Sequence, residues 1–385
     1  MPRLQICLVS QQFSEVKSGV GVYARNLAQG LLTDGHSVTL ICPRERLSTS
    51  LQNLRLELVS EKRTGSSHVR WFMLSQRFGR ALKTLYRRQK FHLVHFTDAR
   101  DALFCPRRDF PVLGMVNDYY FAAAPRSPWS FKADYVDWKV RWAYYNTVRL
   151  LEQRALRKLT AIICNSQYTQ KELTEQYGLA AERMRVIYMS IDLSRYTFQP
   201  RRPEDGAPCV LFIGGNVQRK GLPDLIRAAP SILEVFPQTK FVVVGDNQNL
   251  AAMMALCEQH RVRESFHFTG WRSHDQIQED YRRASVFVMP SLMEAFGIVF
   301  LEAMASGVPV IGGDVGGIKE LIQDGVNGLL VPPRNHRALA GKILHLLQDE
   351  QIRRTLIKNA RETVKRYATE QMLRETYALY EDLLT

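Results

Sequence analysis

The sequence predicts an α/β protein built from two doubly wound domains, each a parallel sheet wrapped by helices. Three observations point there. Short, near-continuous Val/Ile/Leu/Phe runs alternate with helical stretches along most of the chain, the mark of parallel strands covered on both faces. The 385 residues suffice for two cores of ordinary size. A polar, proline-bearing stretch, 196–208 (Y-T-F-Q-P-R-R-P-E-D-G-A-P), divides the alternation into two halves.

In chain order, strands are expected at Leu4–Ser10, Ser37–Pro43, Phe91–Thr97, Pro111–Val116, Ala161–Ser166 and Arg185–Ile191. The second half repeats the theme at Cys209–Gly214, Phe241–Gly245, Ser265–Thr269, Val286–Met289, Val308–Ile311 and Gly328–Val331. The expected domains are 1–195 and 196–365, with 366–385 a helix packing back toward the first. Ligands of such sheets lie beyond the carboxyl ends of the strands, which here predicts a site in a cleft between the domains.

No run approaches the ~20 apolar residues needed to cross a bilayer. The start, M-P-R-L-Q-I-C-L, enters a strand pattern directly, which predicts no export. Cys7, Cys42, Cys105, Cys164, Cys209 and Cys257 form no C-x-x-C pair, and the histidines show no H-x-x-x-H spacing. Free thiols in a reducing cytosol are expected, with no metal site. The net charge of +14 belongs to the first half: residues 1–200 carry 30 basic and 16 acidic side chains, residues 201–385 carry 22 of each. That asymmetry predicts an anionic partner for the first half. Arg70–Lys90 mixes Trp71, Phe72, Leu74, Phe78 and Leu82 with seven basic residues and no acid, and Trp129–Lys158 carries three tryptophans among arginines. Such stretches suit either a packing helix with solvated arginines or a helix laid on an anionic membrane. A nucleic-acid partner is disfavoured because none of the usual motifs is present.

The stretch around which the chemistry gathers is P-S-L-M-E-A-F-G-I-V-F-L-E, from Pro290 to Glu302. It reads as strand end, turn and helix start, so the unpaired amides near Gly297 and Ile298 form an anion site. Glu294 stands on the loop and Glu302 in the helix, with seven residues between them. Two glutamates so spaced are common, but Glu302 lies among Phe300, Leu301, Ala303 and Met304, where an unpaired charge is costly. Carboxylates flanking an anion site grip hydroxyls, which suggests a sugar on one side and a ribose on the other. Gly214–Gly221 (G-G-N-V-Q-R-K-G) sets Arg219 and Lys220 at another strand end, suited to a diphosphate. Gly19 and Gly21, in S-G-V-G-V-Y, allow a tight loop and close backbone approach before a helix. Asp246 and V-G-G-I-K-E line further strand ends.

Assembled, these residues resemble the retaining glycosyltransferases of family 4, which have the glycosyltransferase B fold of two Rossmann-like domains facing each other across a cleft. The resemblance rests on G-V-G-V-Y, N-S-Q-Y-T at Asn165–Thr169, V-I-Y-M-S-I-D at Val186–Asp192, and the run from Tyr281 through the glutamate pair to D-G-V-N-G-L-L-V-P-P. It implies that Glu294 binds donor-sugar hydroxyls, Glu302 the ribose, and Arg219 with Lys220 the diphosphate, while Ala295, Phe296, Gly297 and Ile298 complete the site. Gly19, Gly21 and Asp246 would also face the donor. The implied reaction is retaining hexosyl transfer from a UDP- or GDP-linked sugar to an envelope glycan or lipid-linked acceptor, as in polysaccharide or lipopolysaccharide synthesis. No cofactor and no metal are implied. The implied setting is cytoplasmic, peripheral on the inner face of the membrane through the basic first half. The pattern departs in four places. Gly215 stands where the family usually has Arg, and Asn117 where many members have His, leaving Asp118 as the substitute acid–base group. Ala295 replaces a common Gly, and so does Ser190. Gly215 and Asn117 keep open a second reading, a catalytically weak nucleotide-sugar- or glycan-binding member of the same fold.

Overall fold

The computed structural model describes residues 2–13, 19–47, 51–61, 67–106, 109–117, 135–201, 206–245 and 249–385. The chain forms two compact units, one of Met1–Met189 with Glu370–Thr385, the other of Ser190–Thr369.

The first unit holds strands β1 (Gln5–Val9), β2 (Ser37–Pro43), β3 (Arg55–Val59), β4 (Leu93–Phe96), β5 (Val112–Val116), β6 (Ala161–Cys164) and β7 (Met184–Val186), with helices α1 (Gly19–Thr33), α2 (Ser67–Arg88), α3 (Tyr135–Leu156) and α4 (Gln167–Tyr177). The strands pair in parallel in the order β3-β2-β1-β4-β5-β6-β7. The order reverses between β1 and β4, the switch point of a doubly wound sheet. The central strands are buried, save Gln5 at the start of β1, because they are largely apolar on both faces. Strand β3, R-L-E-L-V, escapes the sequence pattern because it is an edge strand, exposed or half-buried throughout.

The second unit contains β8 (Cys209–Ile213), α5 (Leu222–Val235), β9 (Lys240–Val244), α6 (Leu250–Gln259), β10 (Phe266–Gly270), α7 (His274–Arg283), β11 (Val286–Met289), α8 (Ile298–Ala305), β12 (Val310–Gly313), α9 (Ile318–Leu321), β13 (Leu329–Val331), α10 (His336–Gln348) and α11 (Glu350–Val364). Its parallel order is β10-β9-β8-β11-β12-β13, with the switch point between β8 and β11. Helix α7 is started by a capping box, Ser273 with Gln276, and α5 by Gly221 at φ 80° followed by Leu222-Pro223.

The boundaries differ slightly from those the sequence suggests. Residues 190–195 join the second unit because Ile191 bridges Ala368: its N–H donates to Tyr367 O at 3.0 Å, and its carbonyl accepts from Thr369 N at 3.2 Å. The last helix, α12 (Thr369–Leu384), belongs to the first unit from residue 370 on. Gly30 of α1 makes room for it, since a Cβ there would lie 2.3 Å from Leu373 Cδ1. Tyr377 donates to Asp34 Oδ2 at 2.7 Å, and the fully buried Tyr380 places its hydroxyl 2.7 Å from His95 Nδ1.

Helix α2 settles where its apolar stripe goes. Trp71, Leu74, Phe78, Leu82 and Leu85 are buried, and Trp71 packs with Leu103, Ala155, Phe72 and Phe104. Burying side chains of this size stabilises the fold by roughly 1.5–3 kcal/mol each, so the aromatic face is committed to the core. Arg80, Lys83, Arg87, Arg88 and Lys90 remain exposed on the other side. Of the second aromatic stretch, 129–134 lies outside the described residues. Among the described residues no helix is long and apolar enough to cross a membrane.

Candidate active site

The loops leaving β8 and β11 flank the switch point of the second unit's sheet, where ligands of open α/β sheets bind. Glycines bring them together. A Cβ on Gly221 would lie 2.1 Å from Pro290 O, and Gly221 has φ 80°, so no other residue suits this contact. Leu292 N donates to Arg219 O at 2.8 Å, tying the two loops backbone to backbone. Beneath the second loop, Gly313 abuts Ser291 O and Gly317 abuts Ala295 O, where a Cβ would come within 2.2 and 2.0 Å. Gly317 N also donates to Glu294 O at 3.0 Å.

This scaffold places Lys220 Nζ 3.1 Å from Glu294 Oε2. The two side chains are only 15% and 11% exposed, so water screens the pair little. Lys220 packs its stem along Gly214, where a Cβ would clash at 2.3 Å, and its ammonium also lies 3.5 Å from Met289 Sδ. Arg219 donates from Nη1 to Met293 O at 3.2 Å, fixing its guanidinium beside the same loop. Gly297 caps α8 at φ 98°, and the amides of Ile298 and Val299 precede the first bond of this helix, from Phe300 N to Gly297 O at 3.0 Å. A cation, a carboxylate and a helix start therefore converge at one edge. Ala295, Phe296 and Gly297 are buried, and Ile298 is half-buried.

Glu302, in the second turn of α8, sits elsewhere in this arrangement. Tyr281 donates to its Oε2 at 2.9 Å, and Tyr196 bonds it from the segment preceding β8. Burial raises the carboxyl's pKa, while the two phenols and the Arg195 charge pull it down. A carboxylate held by two hydroxyls is already an acceptor of the bond type a sugar hydroxyl would make.

The structure thus joins Arg219, Lys220, Glu294, Ala295, Phe296, Gly297, Ile298 and Glu302 in one unit. Gly19 and Gly21 belong to the other unit, and there the expectation of a loop is corrected. They are the first and third residues of α1, neither has positive φ, and Gly21 begins the buried stripe continued by Ala24, Ala28 and Leu31. Asp118 and Asp246 lie outside the described residues. Asn117 turns its amide inward, donating from Nδ2 to Thr97 O at 2.7 Å. Sequence reasoning missed Tyr196 and Tyr281, because nothing in the spacing of two tyrosines signals that both reach one glutamate.

The chain matches two described families that together run along most of its length: Glycosyltransferase Family 4 over residues 17–195 and glycosyl transferases group 1 over residues 195–363. An uncharacterized glycosyltransferase of Methanocaldococcus jannaschii is 31% identical over 60% of this chain, which spans 63% of that relative's length. Among solved structures, the sucrose-phosphate synthase of Thermosynechococcus elongatus superposes with a TM-score of 0.83 at 22% identity, covering 99% of both chains. The Anabaena HepE protein, solved with UDP and glucose, gives 0.75 at 19% identity, covering 99% of this chain and 100% of its own. These likenesses agree with the expected fold of two parallel sheets flanked by helices.

Proposed function

We propose that this chain, which belongs to the group 1 glycosyltransferases, moves a hexose from a nucleoside diphosphate sugar to an envelope glycan or lipid-linked acceptor with retention at the anomeric carbon. The observation that carries the reading is the 3.1 Å contact between Lys220 and Glu294 beside the start of α8. A diphosphate needs cations and amides, a sugar needs an acceptor for its hydroxyls, and here the two needs are met one hydrogen bond apart. Lys220, Arg219 and the α8 amides would stabilise the charge that develops on the phosphate oxygen as the anomeric C–O bond breaks. Glu294 would orient the sugar, and Glu302 the ribose. The acceptor oxygen forms the new bond, and its proton passes to the departing diphosphate on the same face. No step in this scheme calls on a metal ion. That HepE was solved with UDP and glucose supports a uridine nucleotide as the donor. The exposed basic side of α2 is the surface we assign to an anionic acceptor or membrane.

The test is a thermal-shift panel of UDP, GDP, ADP and their common sugars, followed by assay of nucleoside diphosphate release. One nucleotide raising Tm, with the shift removed by Lys220→Ala and reduced by Glu302→Ala, supports the donor site. A shift without release of diphosphate in the presence of candidate acceptors favours a binding protein of the same fold. No shift from any nucleotide sinks the proposal.

A further inference from the structure

A cavity of about 560 Å³ opens in the second unit and shares no lining residue with the loops just described. Two of its lining residues, Cys209 and Lys240, are the first residues of β8 and β9, and two more, Thr269 and Arg272, lie at the carboxyl end of the edge strand β10, whereas the donor loops leave from the carboxyl ends of β8 and β11. A five-residue strand separates the two ends by about 13 Å. The volume is that of a small-molecule site, which runs from roughly 300 to 1,000 Å³.

Its chemistry is one-sided. Arg201, Lys240, Arg272 and Arg283 line it with His267, and Asp280 is the one acid among the described lining residues. Arg201 is a fixed charge, donating to Ser285 Oγ at 2.6 Å and to the carbonyls of Gly206 and Ala207 at 2.9 and 2.7 Å. Arg272 Nε lies 3.4 Å from Asp280 Oδ2, and Arg283 reaches Glu279 at 2.5 Å. Lys240 is exposed and has no ion-pair partner among the described residues. Asp280 and Glu279 offset two of these charges, and the positive excess that remains among the described residues suits an anion. Asp280 adds a second demand. It is 8% exposed, and its Oδ2 accepts no hydrogen bond among the described residues. Arg272 Nε, at 3.4 Å, holds this oxygen by charge without a hydrogen bond, so a lone pair is left for a ligand donor.

We infer that this cavity binds a hydroxyl-bearing phosphate ester, with Lys240, Arg272 and Arg283 on the phosphate and a ligand hydroxyl donating to Asp280 Oδ2. A cation cluster beside a buried carboxylate oxygen that accepts no hydrogen bond is what separates this from a generic anion patch, which would need no carboxylate. The inference stands apart from the donor site and does not rest on it.

Titration calorimetry of the full chain with sn-glycerol 3-phosphate, inorganic phosphate and glycerol tests it. Lys240→Gln/Arg283→Gln is the cavity variant; both side chains are exposed, so folding is retained. Lys220→Ala is the donor-site control. The expected result is binding of the ester to the parent chain and to the control alike, at least about tenfold weaker in the cavity variant, and weaker for inorganic phosphate than for the ester. Equal affinity for phosphate and ester would overturn the role of Asp280 and the ester assignment with it. Binding lost in the control and kept in the cavity variant would overturn the site, as would no binding of the ester at all. Sedimentation with vesicles of equal phosphatidylglycerol and phosphatidylcholine separates the two sources of this chemistry. Vesicle binding lost in the cavity variant identifies a lipid headgroup, whereas vesicle binding unchanged beside lost ester binding identifies a soluble metabolite.

Discussion

Each unit holds one titratable side chain between two tyrosines, and the two arrangements serve opposite ends. In the first unit, His95 is wholly buried, with Nδ1 2.7 Å from the Tyr380 hydroxyl and Nε2 3.2 Å from that of Tyr23. Burial lowers its pKa to about 3, so it is neutral, and it joins α12, β4 and α1 into one core. In the second unit, Glu302 receives Tyr281 and Tyr196, and burial raises its pKa. It stands in the helix that opens beside the Lys220–Glu294 pair. The same phenol hydrogen bonds thus secure packing in one place and, on the proposed function, hold an acceptor for the donor's ribose in the other. What differs is whether the central group lies sealed in the interior or on a helix that begins at the loop of the Lys220–Glu294 pair.

The largest expected effect sharpens the ligand side of that contrast. Lys220→Ala should reduce kcat for sugar transfer by about 100- to 1,000-fold, as removal of one transition-state donor does elsewhere. It also strands Glu294, at 8% exposure, so Tm should fall too. Next comes the packing side. Tyr380→Phe leaves His95 Nδ1 without its partner and should cost about 1–3 kcal/mol in denaturant unfolding, with nucleotide affinity unchanged. Loss of nucleotide binding in a folded Tyr380→Phe chain would break the contrast.

Acidity probes both clusters at once, with opposite signs. Between about pH 3 and 6.5 the unfolded chain binds a proton at His95 that the folded chain does not. Stability through this residue is therefore complete above pH 6.5 and falls on acidification by about 1.4 kcal/mol per unit. The pKa of Glu302 is raised above 4.5, so its contribution is complete below 4.5 and lost as pH rises through the folded value. His95→Gln should flatten the acid limb of the stability profile, and Glu302→Gln should lift the limb above pH 4.5; profiles measured by urea unfolding that shift in the same direction would refute the comparison. The smallest effect belongs to Tyr281→Phe. It removes one of two phenols from Glu302 and should cost about 0.5–1.5 kcal/mol in stability, with a few-fold change in nucleotide affinity by titration.

Much of this was legible in the sequence because parallel strands buried on both faces announce themselves as unbroken apolar runs. Val286–Met289 and Ser37–Pro43 came out with the bounds the structure shows. Strand β3 did not, since an edge strand needs no apolar face, and the helical start of α1 was read as loop because glycine signals both. The Arg219–Lys220 and Glu294 loops could be proposed as neighbours from strand ends alone. Their 3.1 Å contact could not, because it depends on Gly221 admitting Pro290, a meeting of residues far apart in sequence. The amphipathic pattern of α2 fitted a membrane or a core equally well; only the packing of Trp71 against Leu103 and Ala155 assigns its apolar face.

The return of residues 370–385 to the first unit gives the chain an order of manufacture. On the ribosome, the second unit is one continuous stretch, 190–369, and can close as soon as that stretch has emerged. The first unit, although translated earlier, is complete only once α12 brings Tyr380 to His95 and Leu373 to Gly30. Its nascent form carries the hydrophobic seat of α12 uncovered for the whole time the second unit is being made, so chaperones and proteases have their longest opportunity there.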